Sequence, residues 1–182
     1  MTQTRFVLTL FLMGITLGPL FDGFHTYSGT TAYPNPLFLK MAWWVPLLFG
    51  IAYVVIGVTH FDFYKFFKAK KQFLGWSQVI IGFLSFALIY FASGFLIEGP
   101  LKTVLLFSSA ILIWVLFSGT WQGLTLAIFT GLSGTLIEIL FIHYKTFFYL
   151  QPDLWGIPYW LPALYLAGSV AGGNLVRKLW NL

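Results

Sequence analysis

Residues 102–142 read KTVLLFSSAILIWVLFSGTWQGLTLAIFTGLSGTLIEILFI. Between Lys102 and Glu138 there is no charged side chain, and the punctuation is confined to Ser118-Gly119-Thr120. A bilayer core of roughly 30 Å takes about 20 helical residues to cross. The stretch therefore predicts two crossings, Lys102–Phe117 and Thr120–Ile142, joined by a tight hairpin. Working outward, four more runs qualify: Phe6–His25, Leu39–Phe61, Leu74–Leu96 and Ile157–Val176. The breaks between them carry turn residues: Tyr33-Pro34-Asn35-Pro36, Glu98-Gly99-Pro100 and Gln151-Pro152-Asp153. The apolar runs are continuous rather than alternating, which argues against a β-barrel. The expected fold is an all-α bundle of six transmembrane helices, with residues 1–182 forming one domain and Phe6–Phe21 kept as a first helix rather than cleaved as a signal peptide.

Composition agrees. The chain is 59% hydrophobic and 8% charged, with a mean hydropathy of +0.86. A soluble domain carries roughly a quarter charged residues, so these charges suffice to decorate helix ends and not to solvate a globule. The net charge of +5 falls between apolar runs, which makes the membrane surface its partner and not nucleic acid. There is no cysteine, excluding disulfides and thiolate chemistry. With a cytoplasmic N-terminus, Arg5, Lys65, Lys68, Lys70, Lys71, Arg177 and Lys178 lie inside, against Lys40, Lys102 and Lys145 outside. The positive-inside rule then places both termini in the cytoplasm.

Ionisable groups within a span are costly and become functional candidates. Glu138 can hold a ligand hydroxyl from the fifth helix or snorkel to the interface. Asp22 and His25, three apart, share a helix face and suit a hydrogen-bonded pair, a proton relay or half a metal site. His60 and Asp62 are expected to end the second helix. No histidine pair, phosphate loop or nucleophile elbow is present, so no catalytic residue, metal or cofactor is assigned and the protein is not expected to be an enzyme. The alternative is a small membrane enzyme or transporter using Asp22, His25 and Glu138. Aromatic residues make up 21%; many sit at helix ends, whereas Phe83, Phe86, Phe107 and Trp114 lie deeper and can line a cavity for a flat or acyl ligand. In the last helix Gly168, Gly172, Gly173 and Asn174, beside Ala167 and Ala171, form a small-residue surface for close helix packing. Gly123, Gly131 and Gly134 are candidates to face it, and an oligomer interface (dimer or trimer) is the other use of that surface.

Two blocks resemble a known family. Trp160-Leu161-Pro162, Gly168, Val170, Gly173-Asn174, Arg177 and Leu179, with Pro152-Asp153 ahead of them, are similar to the last helix of the insulin-induced gene (Insig) family. Ala42-Trp43-Trp44-Val45-Pro46, Gly50, Ala52 and Val55-Ile56-Gly57 resemble its second helix, and Trp76-Ser77, Val79, Trp114 and Gly123 fall in place between. The match runs from Ala42 to Leu179. The resemblance implies six helices with cytoplasmic ends and a lipid ligand within the membrane. Eukaryotic members bind oxysterols, retain the Scap–sterol regulatory element-binding protein complex in the endoplasmic reticulum and promote degradation of a sterol-synthesising reductase. Phe86 and Trp114 correspond to aromatic positions of the family's ligand and Scap-binding region. This chain departs at Ser118, where the family has an Asp used on Scap, and at Leu48 and Phe49, where it has cysteines. The departures argue against a Scap-type partner. With the short loops, they point to a prokaryotic plasma membrane rather than the endoplasmic reticulum, and to a diacylglycerol-like, isoprenoid or sterol-like lipid.

Overall fold

The computed structural model describes residues 2–68, 75–95 and 99–180. Lys70, Lys71, Leu74, Leu96 and Glu98 lie outside the described residues. Six helices follow in order: α1 (Gln3–Ser28), α2 (Val45–Phe66), α3 (Trp76–Phe95), α4 (Pro100–Phe117), α5 (Trp121–His143) and α6 (Leu161–Trp180). Two short strands, β1 (Thr31–Ala32) and β2 (Phe148–Tyr149), pair antiparallel after α1 and α5.

Local chemistry sets the boundaries. Thr2 caps α1 through its hydroxyl, which accepts from the Arg5 amide at 3.4 Å, and Gly29 ends it with φ 75°. Thr120 caps α5, accepting from the Gly123 amide at 3.2 Å. The second and last helices begin later than their apolar runs predict, at Val45 and Leu161 instead of Leu39 and Ile157. Leu39 and Lys40 both have positive φ (48° and 57°), as do Trp155 and Gly156 (54° and 82°). Two successive left-handed residues reverse the chain instead of winding it. Each reversal is closed in the same way: Met41 N–H donates to Phe38 O at 2.9 Å, and Ile157 N–H to Leu154 O at 3.0 Å. Only after these turns do Pro46 and Pro162 open a helix, where a missing N–H costs nothing.

The bundle is built around α6, which packs on α2, α3, α4 and α5, while α1 pairs mainly with α2. Helices α1 to α5 are long and apolar enough to span a membrane by composition alone; α6 is not among them. It is the helix furthest from lipid, with Ala163, Ala167, Ser169, Val170, Ala171, Gly173, Asn174, Val176 and Arg177 all buried. The first and last helices meet where Phe6 packs on Trp180, ring centroids 5.5 Å apart, so both ends of the chain share one face. Arg5, Lys65, Lys68 and Lys178 belong to that face, the cytoplasmic one by the positive-inside rule. The strand pair and the two tight turns lie at the opposite, outer face.

Candidate ligand site

A layer of carboxylates and phenols lies at the outer end of the bundle. Glu138, near the end of α5, is held twice: the Tyr149 hydroxyl donates to Oε2 at 2.7 Å and the Tyr165 hydroxyl to Oε1 at 2.5 Å. Asp22, near the end of α1, accepts from the Tyr33 hydroxyl through Oδ2 at 2.8 Å. Three phenol hydrogen bonds offset part of the cost of burying these two carboxyl groups. Tyr33 and Tyr149 come from the outer loops. Burial, then the charges of Asp22 and Glu138, push the Tyr33 phenol far above its ordinary range. Burial and Glu138 do the same to Tyr149. Both phenols therefore remain donors at any physiological pH.

Asp22 and His25 do not bond to each other. His25 is buried, its Nε2 lies 2.9 Å from Ser93 Oγ, and its ring stacks on Tyr90 at 4.2 Å. The Ser93 hydroxyl donates to Tyr90 O at 2.6 Å, which assigns Nε2–H as the donor to Ser93. With separate partners the two residues form no relay. Lys102 is also buried, its Nζ 4.6 Å above the Trp160 ring.

Below this layer lies an aromatic cluster. Phe86 contacts Phe21, Phe83 and Tyr90 at centroid distances of 5.4, 6.0 and 5.9 Å. Phe21 precedes Asp22 directly, so the aromatic and polar groups are continuous. Phe107 packs half-buried against the same core. Trp114 belongs elsewhere: its indole N–H donates to Thr120 O at 3.0 Å and ties the α4–α5 turn at the cytoplasmic end. The structure thus joins Phe83 and Phe86 through Phe21 to the chain position next to Asp22, and leaves Trp114 at the other end of the bundle.

A second polar cluster sits toward the cytoplasm. His60 Nε2 is 2.9 Å from Ser169 Oγ, and Thr130 bonds to Ser169 at 3.1 Å and to Leu126 O at 2.7 Å. His60 does not terminate α2; it is buried and couples α2 to α6. Arg177 bonds to Asn174, lies 5.2 Å from the Tyr64 ring, and reaches to within 3.5 Å of Ser118 Oγ and Phe117 O. The small residues of α6 act singly. Gly168 makes room for the Phe86 ring and Gly173 for His60, but nothing lies within 4 Å of a side chain at Gly172. Gly131 and Gly134 do face α6, against Pro162 O and the Tyr165 ring, whereas Gly123 faces its own turn and Tyr64. Among the described residues no group of three or more His, Cys, Asp or Glu could hold a metal.

No family model matches the chain. Similarity to curated proteins decides its kinship. Over 94% of this chain it is 27% identical to the insulin-induced gene 1 protein of Danio rerio and 28% identical to that of Bos taurus, covering 71% and 64% of those proteins. The chain is a homologue of the insulin-induced gene proteins. It thus spans about two thirds of these Insig relatives, and the similarity reaches well ahead of Ala42. The Insig homologue of Mycobacterium vanbaalenii superimposes with a TM-score of 0.84 at 21% identity, over 94% of this chain and 92% of that one. A cross-linked trimer of the mycobacterial protein gives 0.86 at 20% identity, over 96% and 94%. The fold is therefore the Insig fold, a multi-pass membrane bundle.

Sequence reasoning placed Asp22, His25 and Glu138 within the spans and missed their partners Tyr33, Ser93, Tyr149 and Tyr165. Nothing local in the sequence distinguishes a phenol aimed inward from one at the membrane interface.

Proposed function

We propose that this Insig homologue binds a membrane lipid inside the bundle, with a hydroxylated head at the outer carboxylate–phenol layer and an apolar body along Phe83, Phe86 and Phe107. The observation that carries the reading is the join between those two parts. Tyr90, half-buried, packs directly on Phe86 and on His25, and Phe21, beside Asp22 in the chain, packs on both Phe86 and Tyr90. A hydroxylated lipid sets its head among the phenols and carboxyl groups while its chains fill the aromatic side. The sensing step follows from packing: occupancy signals only if ligand affinity differs between two arrangements of the bundle. The arrangement read out is contact with further copies of the chain, as a homotrimer. The reading makes the protein a lipid-responsive membrane protein and not an enzyme.

Mass spectrometry of lipid retained through gentle purification tests it. One enriched hydroxylated species is expected, reduced severalfold in Phe86→Ala. A lipid profile matching the bulk membrane, unchanged by that substitution, would sink the reading.

A further inference from the structure

The chain contains one structure twice, 116 residues apart. Leu8-Thr9-Leu10 recurs without a gap as Leu124-Thr125-Leu126, Gly18 as Gly134, Tyr33 as Tyr149, Trp44 and Pro46 as Trp160 and Pro162, and Gly57 as Gly173. The bonding repeats with the residues. Thr30 N–H donates to His25 O at 2.8 Å, and Thr146 N–H to Phe141 O at 3.0 Å. Leu37 N–H donates to Met41 O at 2.8 Å, and Asp153 N–H to Ile157 O at 3.0 Å. Ala32 pairs with Phe148, its own counterpart in the repeat, so an approximate two-fold axis passes through the β1–β2 bridge. The hairpins α1–α2 and α5–α6 are its two halves.

Under this relation Asp22 corresponds to Glu138, and the phenol on each is the counterpart of the other, set 11 residues further on in both halves. Around the two acids the halves differ in the number of phenols. The second phenol on Glu138 is Tyr165, and its counterpart is Phe49. Both rings lie over corresponding glycines, Phe49 over Gly18 and Tyr165 over Gly134. Glu138 thus has a phenol on each oxygen. Asp22 Oδ1 accepts no hydrogen bond among the described residues, although the side chain is only 8% exposed.

We propose that Asp22 Oδ1 is the docking point for a hydroxyl of the bound lipid, which donates there as the Tyr165 hydroxyl donates to Glu138. The inference rests on the lipid-binding reading and names the atom and chemistry that select the lipid. The filled half indicates what fits the open one: a neutral O–H donor beside aromatic rings. A phosphate-headed lipid is disfavoured, since it brings an anion against a carboxylate with a second one nearby. The ligand class is an uncharged, hydroxyl-headed lipid, and Phe49 determines specificity by what it lacks.

The test uses the purified full chain with a photoactivatable diacylglycerol and the same probe with its hydroxyl methylated. Wild type should be labelled by the first and about tenfold less by the second, the loss of roughly one good hydrogen bond to a charged acceptor. Phe49→Tyr should place a phenol on Asp22 and cut labelling by a similar factor without lowering the unfolding temperature. Equal labelling by the two probes overturns the docking point and leaves lipid binding standing, as does a well-folded Phe49→Tyr labelled like wild type. No labelling of wild type by either probe overturns both.

Discussion

Helices α2 and α6 open on the same tight turn and the same Trp–x–Pro, and they end up in different solvents. On α2 the positions Leu47, Ile51 and Val55 are 49%, 57% and 57% exposed and face lipid. Their counterparts on α6 are Ala163, Ala167 and Ala171, exposed by 0%, 0% and 2%, where α3 and α4 cover them. One helix face has therefore been used twice, with large apolar side chains where lipid is the neighbour and alanine where another backbone is. Lipid tails are as apolar as leucine, so burial between helices gains nothing from hydrophobicity, and close approach decides instead. The same swap explains why α6 falls short in hydropathy while being the helix furthest from lipid.

The largest effect should come from forcing the two faces to be alike. Ala167→Leu on α6 inserts a side chain into fully occupied space and should cost about 1–3 kcal/mol or more, read as a drop of several degrees in the thermal midpoint in detergent. A midpoint within a degree of wild type would remove α6 from the centre of the bundle. Tyr165→Phe makes the hairpins equal at their carboxylates. It removes one charge-assisted bond, and a loss of about 1.5–3 kcal/mol is expected, partly restored by a hydroxylated lipid. His60→Phe tests the inner tie between the same two helices. Interhelical hydrogen bonds in membranes average about 0.6 kcal/mol, so a small destabilisation should vanish in a double-mutant cycle with Ser169→Ala. Additive losses would mean that the bond contributes nothing. Ile51→Ala on the lipid face should be the mildest of all, within about 0.5 kcal/mol; a loss comparable to that of Ala167→Leu would show that α2 is covered by protein.

Much of the bundle was legible in advance. The α4–α5 hairpin at Ser118–Thr120, the lipid-exposed runs and the side carrying the bases all follow from local composition. Helix starts were misjudged at Leu39 and Ile157 because apolar residues continue through both turns, and left-handed φ at Leu39, Lys40 and Trp155 leaves no mark in hydropathy. The repeat is legible in the sequence, since Trp44-Val45-Pro46 and Trp160-Leu161-Pro162 share Trp and Pro at one spacing. Aligning the chain with itself on those residues brings Asp22 onto Glu138 and Tyr33 onto Tyr149. What it does not supply is the bond between each tyrosine and its carboxylate, since a phenol 11 residues past an acid can point to lipid, water or protein.

The sequence by itself determined the number of helices, the gathering of bases at the face that both termini share and the presence of two acids in the other half. These depend on residue-by-residue transfer into lipid and on charge near helix ends, both local quantities. Only the tertiary structure decided which helix lies at the centre, which phenols hold which carboxylate, and that Asp22 receives one phenol where Glu138 receives two. Those outcomes depend on which backbones come close. In a membrane that is governed by the fit of side chains from distant parts of the chain, such as Phe49 on Gly18 and Tyr165 on Gly134, and not by the apolarity of any one segment.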